Sequence, residues 1–153
     1  KYNEAVAELE FKNVKLLVFG VVDKEIKEKF DKLCKSDRII FAGWLNSEIT
    51  YQYFAASDLA VFPGLHSVMW EQVVAQGIPA IFRKIQGFNH IDLNGNVVLI
   101  DDVSKRGIKE AIEAIIKDQS KYEKMKDISQ NKGKFVFSYE IIAKNSIEYK
   151  EGN

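Results

Sequence analysis

The chain has 153 residues, of which 46% are hydrophobic and 29% are charged, and it carries 22 basic and 22 acidic side chains. This length and composition are typical of one globular domain. The net charge of zero argues against a nucleic-acid-binding protein, because such proteins usually carry a basic excess. The single cysteine, Cys34, excludes an internal disulfide and suits a reducing, cytoplasmic setting.

The beginning of the chain does not resemble a signal peptide, because charged residues are spread through it. A helical pattern over residues 2–9 starts at once, and a domain rarely begins so abruptly. We therefore expect residues 1–153 to form a single domain taken from a longer protein. No apolar run approaches the roughly 18 residues that a membrane span needs.

Short apolar runs alternate with helical patterns along the first hundred residues. The runs predict strands at 14–20, 38–42, 58–62, 78–83 and 96–100, and the patterns between them predict helices at 24–35, 46–56 and 67–76. Amphipathic segments follow, with Ile108, Ile112 and Ile115 on one face of the first and further segments at 122–133 and 139–149. This order predicts an α/β fold, a Rossmann-like doubly wound parallel sheet flanked by helices, with extra helices at the C-terminus.

In a sheet of this kind, ligands bind beside the carboxyl ends of the strands. The stretch 57–81 holds the most informative loop, because a strand ends at Pro63 and a helix is predicted to start near Ser67. Free backbone N–H groups at the start of a helix attract anions. Ser67 suits both an N-cap and a donor to a phosphate oxygen, and Glu71 or Gln72 suits sugar hydroxyls. A structural interpretation stays open, with Ser67 as a cap only and Trp70 in the core.

Three motifs in this part of the chain match one known family. They are IIFAG at 39–43, ASDLAVFP at 56–63 and QVVAQGIPAI at 72–81. In order and spacing they resemble the C-terminal domain of GT-B fold glycosyltransferases of the large retaining group 1 family, which includes sucrose, lipopolysaccharide and capsule transferases. The resemblance covers most of residues 14–100. It implies that the chain is one half of a GT-B fold and binds the nucleoside-diphosphate sugar donor.

The resemblance assigns roles to residues at the strand ends. It places the base of the nucleotide near Gly43, Trp44 and Leu45, and it places Gly20 beside the ligand. For Trp44 the alternatives are a ring that stacks on the base or walls it, and a ring that packs between domains or in the core. The family's paired glutamates are not both present: His66 and Ser67 stand where the first is expected, and the second aligns with Gln72, beside Glu71. The donor-binding residues implied are Gly20, Gly43, Trp44, Leu45, His66, Ser67, Val68, Glu71 and Gln72.

Other candidates carry weaker signals. His90 follows the fourth predicted strand and therefore points toward the same cleft, although a loop histidine is usually a surface or structural residue. Two histidines and one cysteine far apart in the sequence make no zinc pattern. Asp101 and Asp102 precede a helix and favour a capping role. We expect no metal and no cofactor, which agrees with the general behaviour of GT-B enzymes.

The resemblance implies transfer of a sugar to a glycan or a lipid-linked acceptor, which an N-terminal domain outside this chain would bind. The first strand of the family's domain, with its basic residues, is expected before Tyr2, so this chain alone should be inactive. It also implies a cytoplasmic enzyme, peripheral at the inner membrane face. The alternatives are another GT-B enzyme, such as a nucleotide-sugar epimerase or a phosphorylase, and a non-catalytic doubly wound module that binds a partner protein.

Overall fold

The computed structural model describes residues 2–11 and 13–148, with the side chains of residues 2, 3 and 148 left out. Five parallel strands alternate with helices in the predicted order. The strands are β1 Leu16–Val18, β2 Ile39–Phe41, β3 Ala60–Phe62, β4 Ala80–Arg83 and β5 Val97–Ile100. The helices are α1 Tyr2–Ala7, α2 Lys27–Leu33, α3 Ser47–Ala55, α4 Met69–Ala75, α5 Lys105–Ile116, α6 Gln119–Ile128, α7 Lys134–Val136 and α8 Tyr139–Glu148. A 3₁₀ turn, Lys24–Ile26, precedes α2, and a π-helical segment, Ser129–Gly133, links α6 to α7.

The strands form two hydrogen-bonded sheets. β1 pairs with β2, whereas β4 lies between β3 and β5, and every pairing is parallel. The predicted doubly wound parallel sheet is thus formed by two ladders, and no strand pairing among the described residues joins them. The strands are also shorter than the apolar runs that predicted them, because the ladders end where the chain turns into the loops and helices.

Two apolar cores lie on opposite faces of the strands. Ala80 and Phe82 of β4 pack into the first core with α3 and α4, whereas Ile81 packs into the second core with α1, α5 and α6. The alternation follows from strand geometry, in which successive side chains point to opposite faces. Leu16 of β1 also contacts the second core, so both sheets share it. Helices therefore cover both faces, which is the predicted doubly wound arrangement.

Local capping bonds define several of the helix ends. Asn46 accepts from the N–H of Ile49 at the start of α3, and Ser104 accepts from the N–H of Gly107 at the start of α5. Asp102 accepts from the N–H of Ser104 and so supports the cap residue, but Asp101 contacts Lys84 instead, so the prediction that Asp101 and Asp102 cap the helix is wrong. Each such bond satisfies a backbone donor that the helix leaves free.

The predicted helix 67–76 begins later than expected. α4 starts at Met69, Val68 occupies its N-cap position without a side-chain bond, and the N–H of Trp70 donates to the carbonyl of Ser67 at 2.9 Å. The prediction that Ser67 caps the helix is therefore wrong. Trp70, by contrast, is fully buried, as the apolar pattern predicted.

The C-terminal helices leave apolar residues exposed. Tyr139, Ile142 and Ile147 of α8 are all exposed, so they do not pack into either core. The last predicted position of this segment, residue 149, lies outside the described residues. No helix within residues 2–11 and 13–148 is long and apolar enough to cross a membrane.

Candidate functional site

The carboxyl ends of β1 and β2 are followed by Gly20 and Gly43, two of the predicted site residues. Gly20 and Gly43 have φ angles of 123° and 69°, a left-handed conformation that glycine adopts without steric cost. The N–H of Gly20 donates to the carbonyl of Gly43 at 2.8 Å, so the two turns are joined beyond the last ladder bond. No atom lies within 4 Å of the position of a Cβ at either glycine, which leaves the strand ends open.

A cleft of about 320 Å³ opens beside these turns. One wall comes from the β1–β2 side and the other from the region where α4 begins, so the cleft lies between the two sheets. Its lining residues are Phe19, Gly20, Trp44, Leu45, Ser47, Thr50, Tyr51, Val68, Met69 and Gln72. The structure thus brings five of the predicted site residues, Gly20, Trp44, Leu45, Val68 and Gln72, to one place.

The exposure of Trp44 excludes one of the alternatives that the sequence left open, which is packing in the core. Its side chain is 78% exposed at the edge of the cleft, so it does not pack into the core of this domain. A flat, exposed aromatic ring beside a cleft can stack on a planar ligand. Gly43 itself is not among the lining residues, and its contribution is the turn that presents Trp44 and Leu45.

The second part of the site is a cluster of three polar side chains. Nε2 of His66 lies 2.7 Å from Oε1 of Glu71, and Nε2 of His90 lies 2.8 Å from the same oxygen. His66 follows β3, His90 follows β4, and Glu71 lies in the first turn of α4. The two histidines are far apart in the sequence but meet here because neighbouring parallel strands end at the same edge of the sheet.

The surroundings of Glu71 favour its ionised form. Burial raises the pKa of its carboxyl group, but the hydrogen bonds from His66 and His90 oppose that effect and hold the pKa below its ordinary value. Oε2 of Glu71 is buried and has no hydrogen-bond partner among the described residues. The two histidines therefore engage only one of the two carboxylate oxygens.

This cluster also has the composition of a metal site. One ligand atom from each of His66, Glu71 and His90 lies within 4.8 Å of the others, and two imidazoles with one carboxylate are a common ligand set for zinc. The sequence itself shows no zinc pattern, because His66 and His90 are far apart in it and meet only in the fold. The distances of 2.7 and 2.8 Å are those of charge-assisted hydrogen bonds, and such bonds explain the contacts without an ion.

Gln72 lies at the boundary between two clefts. Besides the first cleft, it lines a second one of about 450 Å³ that extends toward α8 and is largely apolar. Its side-chain N–H donates to the hydroxyl of Tyr139 at 3.4 Å. Val68 and Tyr51 line both clefts as well. Ser67 precedes Val68 at the junction of the cleft with the histidine cluster, and neither residue donates a backbone hydrogen bond within the described parts of the chain.

Comparison with known proteins shows a fold that is shared with several enzymes. A sucrose-phosphate synthase from Thermosynechococcus elongatus aligns with a TM-score of 0.73 and 17% identity over 97% of this chain. The Anabaena protein Alr3699/HepE, solved in complex with UDP, aligns with a TM-score of 0.77 and 20% identity over 99% of it. A putative UDP-N-acetylglucosamine 2-epimerase from Listeria monocytogenes aligns with a TM-score of 0.76 and 17% identity, also over 99%.

These structures are GT-B proteins, and the chain spans 41%, 44% and 41% of their respective lengths. No curated protein sequence matches the chain. The family model described as glycosyl transferases group 1, however, matches residues 2–132. The chain therefore belongs to the group 1 glycosyl transferase family, and it has the fold of one half of a GT-B enzyme.

Proposed function

We propose that this domain binds the nucleoside-diphosphate sugar donor of a glycosyltransferase. The observation that carries the proposal is the cleft at the carboxyl ends of β1 and β2, which gathers Gly20, Trp44, Leu45, Val68 and Gln72 from both sheets. Ligands of doubly wound proteins bind at this position, beside the point where the strand order reverses. The Anabaena relative with UDP bound supports a uridine nucleotide as the first ligand to test.

The cleft suggests a role for each end of the donor. We assign the base to the edge of Trp44, between the turn at Gly43 and Leu45, because an exposed aromatic ring can cover the face of a base. We assign the ribose to Gln72, whose amide lies in the cleft. Glu71 is the weaker candidate for the ribose, because His66 and His90 occupy one of its oxygens and the other is buried.

The diphosphate would then lie near Ser67 and Val68, toward the histidine cluster. Negative charge grows on the diphosphate as the sugar leaves, and groups that stabilise this charge lower the barrier. In this proposal the protein supplies these groups, and no metal ion takes part. A second domain would hold the glycan or lipid-linked acceptor, since the match spans only 41–44% of the compared structures. The chain alone would bind the donor without turning it over, in the cytoplasm.

A titration of the chain with UDP, GDP, ADP and inorganic diphosphate, followed by calorimetry, tests this function. We expect selective binding of one nucleoside diphosphate. Trp44→Ala should weaken it about 5- to 150-fold, because stacking on a base contributes roughly 1–3 kcal/mol. Gln72→Ala should weaken it about 2- to 10-fold, in line with about 1 kcal/mol for a hydrogen bond. Gln52→Ala, on the exposed side of α3, is the matched control and should bind as the parent does.

An epimerase is the second candidate, because the Listeria structure shares the fold as well as the transferases do. Nucleotide binding does not separate the two activities. Incubating the full-length protein with UDP-N-acetylglucosamine does, since an epimerase changes the sugar without an acceptor and a transferase does not. If no nucleotide bound to the full-length protein, both enzyme functions would fail, and a protein-interaction module would be the remaining interpretation.

A further inference from the structure

Gln72 lies where the two clefts meet, and its side-chain amide has two chemically different ends. The nitrogen Nε2 only donates hydrogen bonds, and the oxygen Oε1 only accepts them. Nε2 donates to the hydroxyl of Tyr139 at 3.4 Å. Tyr139 lines the second cleft and is not among the residues that line the first. The donor end of the amide is thus turned toward the second cleft, and the acceptor end is left for the first.

The free end of the amide decides which hydrogen bonds a ligand in the first cleft can make. Within residues 2–11 and 13–148, no side chain donates a hydrogen bond to Oε1 of Gln72. This oxygen has two lone pairs, and a ribose carries two neighbouring hydroxyl groups that can each donate. An amide oxygen held in this direction therefore suits the sugar of a ribonucleotide.

The chain on both sides of this contact is anchored in the first core. On α4, Gln72 is followed by Val73 and Val74, which are fully buried. Phe137, two residues before Tyr139, packs against the same core. The start of α8 is therefore held next to α4, although the side chain of Tyr139 itself is exposed.

Tyr51 of α3 is a second partner of Tyr139. Its side chain lines both clefts, as that of Gln72 does. Burial raises the pKa of the Tyr51 hydroxyl, and hydrogen bonding with Tyr139 raises this pKa further. The hydroxyl thus stays protonated near neutral pH and can take part in the hydrogen bond. Tyr139 therefore has partners on both α3 and α4, which favours one orientation of its ring.

We propose that Tyr139 is a positioning residue of the donor site, which holds the amide of Gln72 so that Oε1 accepts hydrogen bonds from the ribose hydroxyls. This inference rests on the proposed function, in which Gln72 contacts the ribose. It adds helix α8 to the elements that select the ligand. The ligand selected is a ribonucleotide, because an analogue without these hydroxyls leaves the oriented acceptor without a donor.

Calorimetry with UDP and with 2′,3′-dideoxy-UDP measures how strongly the protein selects the ribose. The parent should bind UDP about 5- to 150-fold more tightly, the range expected for two hydrogen bonds. Tyr139→Phe keeps the ring but removes the hydroxyl, so the amide can turn and this ratio should fall about 2- to 10-fold. Tyr53→Phe, on α3 and outside the lining of both clefts, is the matched control and should leave the ratio unchanged.

Gln72→Glu separates positioning from a structural role of the Tyr139 hydroxyl. Both ends of a carboxylate accept hydrogen bonds, so an acceptor faces the ribose whichever way the group is turned. When Gln72→Glu is already present, Tyr139→Phe should therefore change the ratio by less than about twofold. A hydroxyl that only stabilised α8 would weaken the binding of both nucleotides alike, and the ratio would not change.

Each result decides between these roles. An unchanged ratio in Tyr139→Phe, or an equal fall with and without Gln72→Glu, overturns the inference and leaves the donor site standing. Equal binding of UDP and 2′,3′-dideoxy-UDP by the parent also overturns it, because the ribose hydroxyls would then make no contact that matters. If UDP does not bind to the full-length protein, the proposed function fails and this inference falls with it.

Discussion

The two sheets of this protein differ in how they are stabilised. In the sheet of β3, β4 and β5, Ala80, Ile81 and Phe82 of the central strand are fully buried between helices on both faces. In the sheet of β1 and β2, each strand has three residues, and Ile40 and Phe41 are exposed. The first sheet carries the histidine cluster, and the second carries Gly20, Trp44 and Leu45. Half of the candidate site is thus held by a core, and the other half by glycine turns and short ladders.

The two tryptophans provide the sharpest test of this comparison. Trp70 is fully buried against Phe82, with a centroid distance of 4.5 Å, whereas Trp44 is 78% exposed. Trp70→Ala should lower the free energy of unfolding by about 3–5 kcal/mol, because it removes a large buried side chain and leaves a cavity. Trp44→Ala should change it by less than about 0.5 kcal/mol. Urea unfolding followed by circular dichroism measures both, and equal losses would contradict the comparison.

The close packing of helix α4 beside the sheet of β3, β4 and β5 predicts the next largest loss of stability. A Cβ at Gly133 would lie 2.2 Å from the carbonyl oxygen of Val74, whereas one at Gly64 meets nothing within 4 Å. Gly133→Ala should therefore cost about 1–3 kcal/mol, as overpacking usually does. Thermal unfolding should show a lower midpoint for this variant and little change for Gly64→Ala. If Gly133→Ala were neutral, the π-helical segment would have to shift away from α4 at no cost.

Deleting one methyl group from each sheet gives a finer comparison. Ile81 of β4 is fully buried, and Ile40 of β2 is 47% exposed. Ile81→Val should cost about 0.5–1.5 kcal/mol, the usual range for this change in a core. Ile40→Val, the matched variant, should cost a few tenths at most. Chemical unfolding with paired samples resolves this difference, and a similar loss in both strands would mean that β2 is better packed than its exposure indicates.

The smallest effect should come from the ionisation of Glu71. Its pKa is lowered in the folded state, so the stabilisation it adds is present above its ordinary value of 4.5 and is lost as the pH falls through the folded value. The stability difference between the parent and Glu71→Gln should therefore shrink as the pH is lowered from 6 to 3. Unfolding curves at several pH values measure it. A difference that grows on acidification would show that the carboxyl group is protonated in the folded protein.

Much of the sheet of β3, β4 and β5 could be predicted from the sequence. The run IPAIFR at 78–83 is apolar enough for a strand buried on both faces, and the pattern at Ile108, Ile112 and Ile115 gives one buried helix face, as the structure has it. Ends were harder. The predicted start of α4 at Ser67 was wrong. The residue that caps a helix depends on the path by which the backbone enters the helix, and a local sequence pattern does not contain that path.

The candidate site, too, could be predicted only in part from the sequence. The turn at Gly20 and the cleft position of Trp44 follow from the rule that ligands bind at the ends of parallel strands. The contact of His66 and His90 with Glu71 could not be predicted, because it depends on which strands are neighbours and on the rotamers of three side chains. The pairing of β3 with β4 supplies the missing information, since it brings the loops after both strands together.

The division of the strands into two separate ladders has a mechanical consequence. Backbone hydrogen bonds make each sheet cooperative within itself, but none of those in the ladders of the described strands crosses from one sheet to the other. The cleft opens where the two sheets meet, and its walls belong to both of them. A ligand that fills the cleft would contact both sheets and so link them. It should therefore slow hydrogen exchange in the β1–β2 ladder, which has fewer protein contacts than the other sheet.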